Sequence, residues 1–206
     1  MLTYLIHCPG NSEAGGVESL HQFGEAINKT GAKAFMCYYP HEKNFKKPLK
    51  FNHYKVEGIK FFDNNEVIHI FPEIYTKLSY KIDKGLKAIF WLSIDNYFGT
   101  KDSDNIFINF YKRYKLLIKT RIPIFMMKDY FHLHQSQYSV NYLSRYNLKS
   151  FFIGDYIKFI PSIDDTKIRE KHILYNPKKG KNITSKLIKK FKNLSFKPIE
   201  NLNEKQ

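Results

Sequence analysis

Residues 2–39, LTYLIHCPGNSEAGGVESLHQFGEAINKTGAKAFMCYY, decide the fold class. Residues 2–8 are an apolar-rich run closed by Pro9-Gly10, the pattern of a strand buried on both faces of a parallel sheet. A small-residue loop follows at 11–16. Val17, Leu20, Phe23, Gly24 and Ile27 then recur at helical spacing, and Gly31 stands where a helix C-terminal glycine belongs. Residues 33–39 read as a second strand stopped by Pro40. Strand, glycine loop, helix, strand is a βαβ unit, and such units build parallel sheets with right-handed crossovers.

The same alternation runs outward from this stretch. Residues 41–62 are polar and irregular and end in a short strand at 59–62. Strands are expected at 66–71 and 87–92, the second followed by a polar turn, SIDNYF. A helix is expected over 105–119, a strand over 130–134, a helix over 137–146 and a strand over 150–153. From 158 to 170 the composition turns polar around Pro161, Asp164 and Asp165, as an interdomain linker does. The βαβ theme then restarts, with HILYNP as strand, KKGKNIT as loop, SKLIKKFKN as helix and LSFKPI as strand. The expected fold class is α/β. A Rossmann-like parallel-sheet domain covers 1–157, a linker 158–170, and 171–206 is the truncated first βαβ of a second Rossmann-like domain.

Composition narrows the function classes. Of 206 residues, 43% are hydrophobic and 26% charged, a globular balance that excludes a disordered chain. No run approaches the roughly 18–20 apolar residues that cross a bilayer. The first run is too short for a signal peptide, so a cytoplasmic location is expected. Cys8 and Cys37 both sit in strand-like runs and read as buried thiols rather than a disulfide or metal pair. The net charge of +15 draws polyanions, although the joint abundance of Lys, Asn, Ile, Phe and Tyr is also what AT-rich codons supply. The basic residues form no finger, aromatic RNA-binding signature or recognition helix, so nucleic acid is not an expected partner.

Four stretches, in order, resemble bacterial GT-B-type glycosyltransferases of surface-polysaccharide synthesis. They are AGGVESLHQFGEAI (14–27); FPEIY (71–75) with KAIFWLSIDNYF (87–98); HLHQSQYSVNYL (132–143) leading into FFIGDYI (151–157); and ILYNPKKG (173–180) with FKPIENL (196–202). The resemblance implies two Rossmann-like domains facing one another, the first shaped for the acceptor and the second for a nucleotide-sugar donor. The implied activity is sugar transfer to a saccharide or lipid-linked acceptor, with no cofactor. The resemblance places Gly15 and Gly16 toward the donor phosphates, and Lys179-Gly180 with Lys178 around the diphosphate. Asn176 stands where related enzymes carry an arginine. The family's donor-ribose acid and its Pro-Arg-Glu-like stretch would lie beyond Gln206, so an incomplete donor site is expected, from a clipped chain, a split gene whose second half is another chain completing the domain, or a decayed gene. The alternatives are a non-catalytic binding subunit or relic, and a basic polyanion binder.

The residues themselves carry a matching chemistry beside a blander one. A Gly-Gly before a helix lets backbone N–H groups approach a ligand at the positive helix end, and also makes a tight turn. Lys178 and Lys179 can neutralise a diphosphate, yet eight lysines and no acid fall between 177 and 197, which also describes a solvated basic face. Asp95 follows a strand end, where ligands of open α/β sheets gather, and is the catalytic candidate; Asp there is also an ordinary turn residue. Glu73 and His134 are the acceptor-side candidates. His132 and His134 share a strand face, but no third ligand is visible nearby and no metal site is assigned. In the 105–119 helix, Ile106, Phe107, Phe110, Tyr111, Tyr114, Leu117 and Ile118 fall within about 140° of arc, with Lys112, Lys115 and Lys119 opposite. Such a helix either packs on the sheet or lies on anionic lipid at the inner face of the membrane.

Overall fold

The computed structural model describes residues 2–43, 45–99, 106–155, 171–177 and 180–199. The chain divides into two compact units, Met1–Ile157 and Lys158–Gln206. In the first, β1 (Thr3–Pro9), β2 (Lys33–Tyr39), β3 (Glu57–Gly58), β4 (Val67–Pro72), β5 (Leu86–Trp91), β6 (Phe131–His134) and β7 (Lys149–Phe152) form one seven-stranded sheet in the order β3-β2-β1-β4-β5-β6-β7. Every pairing is parallel. The fold is α/β and Rossmann-like, and the order reverses at β1, from which the chain winds first one way and then the other.

Alternation along the strands splits the core between two faces. Helix α1 (Gly15–Lys29) brings Val17 and Leu20 onto Ile6, Cys8, Met36, Tyr38, Ile70, Ala88 and Phe90. Gly24 faces the sheet where a Cβ would stand 2.9 Å from Val56 Cγ2 and 3.2 Å from Ile6 Cδ1, so only a glycine lets α1 seat this closely. On the opposite face Phe71, Ile89 and Trp91 pack with Ile94, Tyr97, Ile122, Met127 and Leu143. Further toward β2 that face carries Leu5, Cys37 and Val67, covered by Phe35, Ile59, Phe61 and Phe62.

Two segments differ from the sequence expectation, and a third carried none. Pairing with β2 lies at Glu57–Gly58 rather than 59–62, because Ile59, Phe61 and Phe62 turn inward to cap the sheet face instead of extending its edge. The SIDNYF turn is a short helix, α2 (Ile94–Phe98): Ser93 Oγ accepts from Asn96 N at 3.2 Å, and Ile94 and Tyr97 bury one face. Glu73–Lys81 winds as 3-10 turns between β4 and β5. Helix α3 (Ile106–Lys119) lies between β5 and β6, followed by α4 (Gln137–Leu143) between β6 and β7. The second unit is one βαβ: β8 (Ile173–Tyr175), α5 (Lys181–Lys190) and β9 (Phe196–Pro198), the two strands pairing parallel in a sheet of their own.

Candidate functional site at the carboxyl edge of the sheet

In an open α/β sheet the crevice forms outside the carboxyl ends of the strands where their order reverses, here at β1 and its neighbours. A cavity of about 600 Å³ lies at this edge, lined by the Pro9-Gly10 end of β1, the Tyr39–His41 end of β2 and the turns after β4. Tyr39, Tyr75 and Tyr80 give it aromatic walls, and Lys77, Lys81 and Lys119 give it positive charge. Tyr39 and Tyr75 meet edge to face, ring centres 4.5 Å apart.

A buried polar cluster adjoins the cavity. Glu73, at the end of β4, turns inward beneath the end of β5, where its Oε2 accepts from Leu92 N at 3.3 Å. Burial pushes its carboxyl up to about 7, against the pull of backbone amides at 73, 92 and 93 and of Arg121. Arg121 donates through Nη2 to Asn96 O at 3.0 Å and through Nη1 to Thr120 Oγ1, while its Nε is buried without a hydrogen-bond partner. The Tyr39 hydroxyl is likewise buried and unpartnered, and burial pushes its pKa well above the usual phenol range. Unsatisfied buried donors cost on the order of 1–3 kcal/mol each. Two of them stand near a buried carboxyl at this strand-end crevice.

Of the sequence candidates, Gly16 and Glu73 converge on Leu92: a Cβ on Gly16 would sit 3.3 Å from Leu92 Cδ1, and Glu73 holds the Leu92 amide. Gly15 and Gly16 open α1, whose first turn has no side-chain cap. Neither has positive φ, and nothing lies within 4 Å of a Cβ built on Gly15, so local conformation does not require this glycine. Asp95 is exposed in the first turn of α2, where its Oδ1 accepts from the Tyr138 hydroxyl at 3.4 Å. His134 is buried between Ser139 Oγ at 3.0 Å and Ser150 Oγ at 3.2 Å; burial, then His132, lowers its pKa to about 4. His132 is occupied as well, accepting from Trp91 Nε1 and donating to Met127 O, both at 2.9 Å. Lys178 and Lys179 lie outside the described residues. Gly180 caps α5 with φ +63°, which explains a glycine there.

Sequence reasoning missed Arg121, Tyr39 and the cavity lysines. The available signal was Arg121 itself, one of four arginines in a chain that otherwise uses lysine.

A second polar group lies on the sheet face that carries Leu5 and Val67. His7 on β1 stands in register with Cys37 on β2, and His41 follows four residues on. His7 Nδ1 is 3.4 Å from His41 Nε2, His7 Nε2 is 3.1 Å from His69 Nδ1, and His69 Nε2 is 3.2 Å from Asp63 Oδ1. Burial holds the His7 imidazole neutral, as do its neighbours His69 and His41, and burial keeps the Cys37 thiol protonated up to about 12.

Fold and edge cluster together define a Rossmann-like α/β unit with a polar carboxyl-edge pocket. No protein-family model matches the chain, and no curated protein matches it either.

Proposed function

We propose that this chain is the acceptor-side unit, with the opening βαβ of the donor-side unit, of a glycosyltransferase of cell-surface glycan synthesis. The observation that carries the reading is the carboxyl-edge cavity, with tyrosine walls, three lysines and the Glu73–Arg121–Tyr39 cluster beside it. Tyrosines offer flat, amphipathic surfaces to sugar rings, and lysines offer point charges to phosphate. A lipid-diphosphate-linked saccharide has both features. Glu73, with its carboxyl near neutrality, suits proton exchange with an acceptor hydroxyl. The open space at Gly15, at the uncapped start of α1, supports a close approach by donor phosphates.

One further observation favours a lipid-linked acceptor. The apolar arc of α3 faces solvent, with Phe107 83% and Phe110 71% exposed, as a helix resting on a bilayer surface would present it. No described helix is long and apolar enough to cross a membrane.

Calorimetric titration with UDP-glucose, GDP-mannose and a short polyprenyl-diphosphate-linked saccharide tests the reading. The lipid-linked saccharide is expected to bind saturably, and Lys81→Ala with Lys119→Ala, both at exposed positions, is expected to weaken it by about tenfold or more. Absence of binding to all three ligands overturns it.

A further inference from the structure

We infer that His7, Cys37 and His41 form a site for a divalent transition metal, zinc above all, backed by His69 and Asp63. His7 and Cys37 are register partners on adjacent parallel strands, so their side chains leave the same face of the sheet. His41 returns to them from the turn His41–Lys43, just past Pro40. The three ligand atoms lie within 4.8 Å of one another. Tetrahedral zinc with bonds of about 2.0–2.1 Å to nitrogen and 2.3 Å to sulfur needs nitrogens about 3.3 Å apart and sulfur about 3.6 Å from each. The two imidazole nitrogens already stand 3.4 Å apart. Because no pair of ligand atoms is more than 4.8 Å apart, a thiol adjustment of at most about 1.2 Å supplies the rest.

The hydrogen-bond chain fixes which nitrogen is bare. The Asp63 carboxylate is held by the backbone amides of Asp83 and Lys84 at 2.9 and 3.0 Å and accepts from His69 Nε2–H. A neutral His69 then has its lone pair on Nδ1 and accepts from His7 Nε2–H. His7 is thereby left with its lone pair on Nδ1, directed at His41 Nε2. Metal-bound histidines are oriented in this way by a carboxylate that accepts from the nitrogen not on the metal, here with one imidazole between. Packed among Phe61 and Phe71, the His7 ring sits in apolar surroundings suited to a neutral ligand. The Cys37 thiol, protonated without metal, yields its proton to solvent as the ion binds.

Among the described residues the group holds three ligands and no fourth. Cys37 and His41 line a cavity of about 580 Å³ that also receives Lys46, Lys47 and Lys60. The fourth coordination position therefore faces a positively charged pocket, the arrangement of an open rather than a closed zinc site.

The test is independent of the transferase reading, because it reads metal binding in the absence of any sugar. The untagged full chain, reduced and stripped with EDTA, is titrated with cobalt(II) and then zinc(II). The expected result is one cobalt per chain, a thiolate-to-cobalt charge-transfer band, intense d–d bands of four-coordination, and loss of all of them to zinc. Cys37→Ser abolishes the charge-transfer band, whereas Cys8→Ser, on the other sheet face, keeps it. Asp63→Asn weakens binding by about 10–100-fold, and His41→Ala by at least as much. Absence of the bands from the unmodified chain overturns the assignment, and so does a charge-transfer band that survives Cys37→Ser.

Discussion

Glu73 sets a pH dependence whose sign follows from its position. The unfolded carboxyl ionises near 4.5, while burial keeps the folded one protonated up to about 7, with Arg121 and Tyr39 its charged or titratable neighbours. Its contribution to stability is complete below the lower value and is lost as pH rises through the upper one; the span corresponds to roughly 3 kcal/mol. Glu73→Gln retains an acceptor for the Leu92 amide and removes the titration. From about pH 5 to about pH 8, thermal denaturation is expected to shift in favour of the variant relative to the unmodified protein, the histidine contributions being common to both. A Tm difference that stays constant over that range contradicts the placement of Glu73. Two glycines make a companion pair. Gly24→Ala pushes a methyl into Val56 and is expected to cost about 1–3 kcal/mol, whereas Gly15→Ala meets open space and is expected to leave denaturant midpoints unchanged. The sequence placed both glycines correctly on the first crossover. It left the contact with Val56 unread, because that residue lies 32 positions from Gly24 and meets it only through the sheet.

Elements were legible where a single strong pattern governed them. The apolar runs at β1, β2, β4 and β5 and the glycine crossover at α1 announced a parallel sheet, because strands buried on both faces leave no polar alternation to misread. The Glu73–Lys81 turns and α2 were not legible, since nine and five residues fall short of the roughly 11–18-residue window over which helical periodicity can be read, and their shape comes from the Ser93 cap and from packing. The edge cluster stayed hidden because its members are far apart in sequence: Tyr39 ends β2, Glu73 follows β4, and Arg121 comes from the segment just after α3. For α3 the wheel found the apolar arc, and the structure turns much of it outward, the helix resting through Leu116 on the Gly99 turn with Arg113 over the Phe98 ring at 5.4 Å. The protein is expected to co-sediment with phosphatidylglycerol vesicles and not with phosphatidylcholine vesicles, and Phe107→Ser with Phe110→Ser is expected to reduce the bound fraction several-fold. Equal sedimentation of the double variant removes α3 as the contact.

At the scale of the whole chain, the two units differ in what holds them together. The first has a core on both faces of its sheet, whereas none of the described residues from 171 to 199 is buried. Ile173, Leu174, Ile183 and Leu187 stay substantially exposed. Its ten-residue helix falls below the length, about 12–15 residues, at which isolated helices persist in water, and a sheet of two three-residue strands is marginal by itself. Local opening of this unit is therefore expected to cost little, while opening β1, β4 or β5 requires most of the global unfolding free energy. Amide hydrogen exchange read by mass spectrometry is expected to show residues 181–190 exchanging orders of magnitude faster than residues 4–8 and 67–71. If the proposed donor role holds, a nucleotide sugar that binds this unit slows the exchange there in proportion to its occupancy, because a ligand that favours the closed form adds its binding free energy to the cost of opening. Equal protection of 181–190 and 4–8 without ligand shows that the second unit carries a core of its own, and the expected difference in stability between the units then fails.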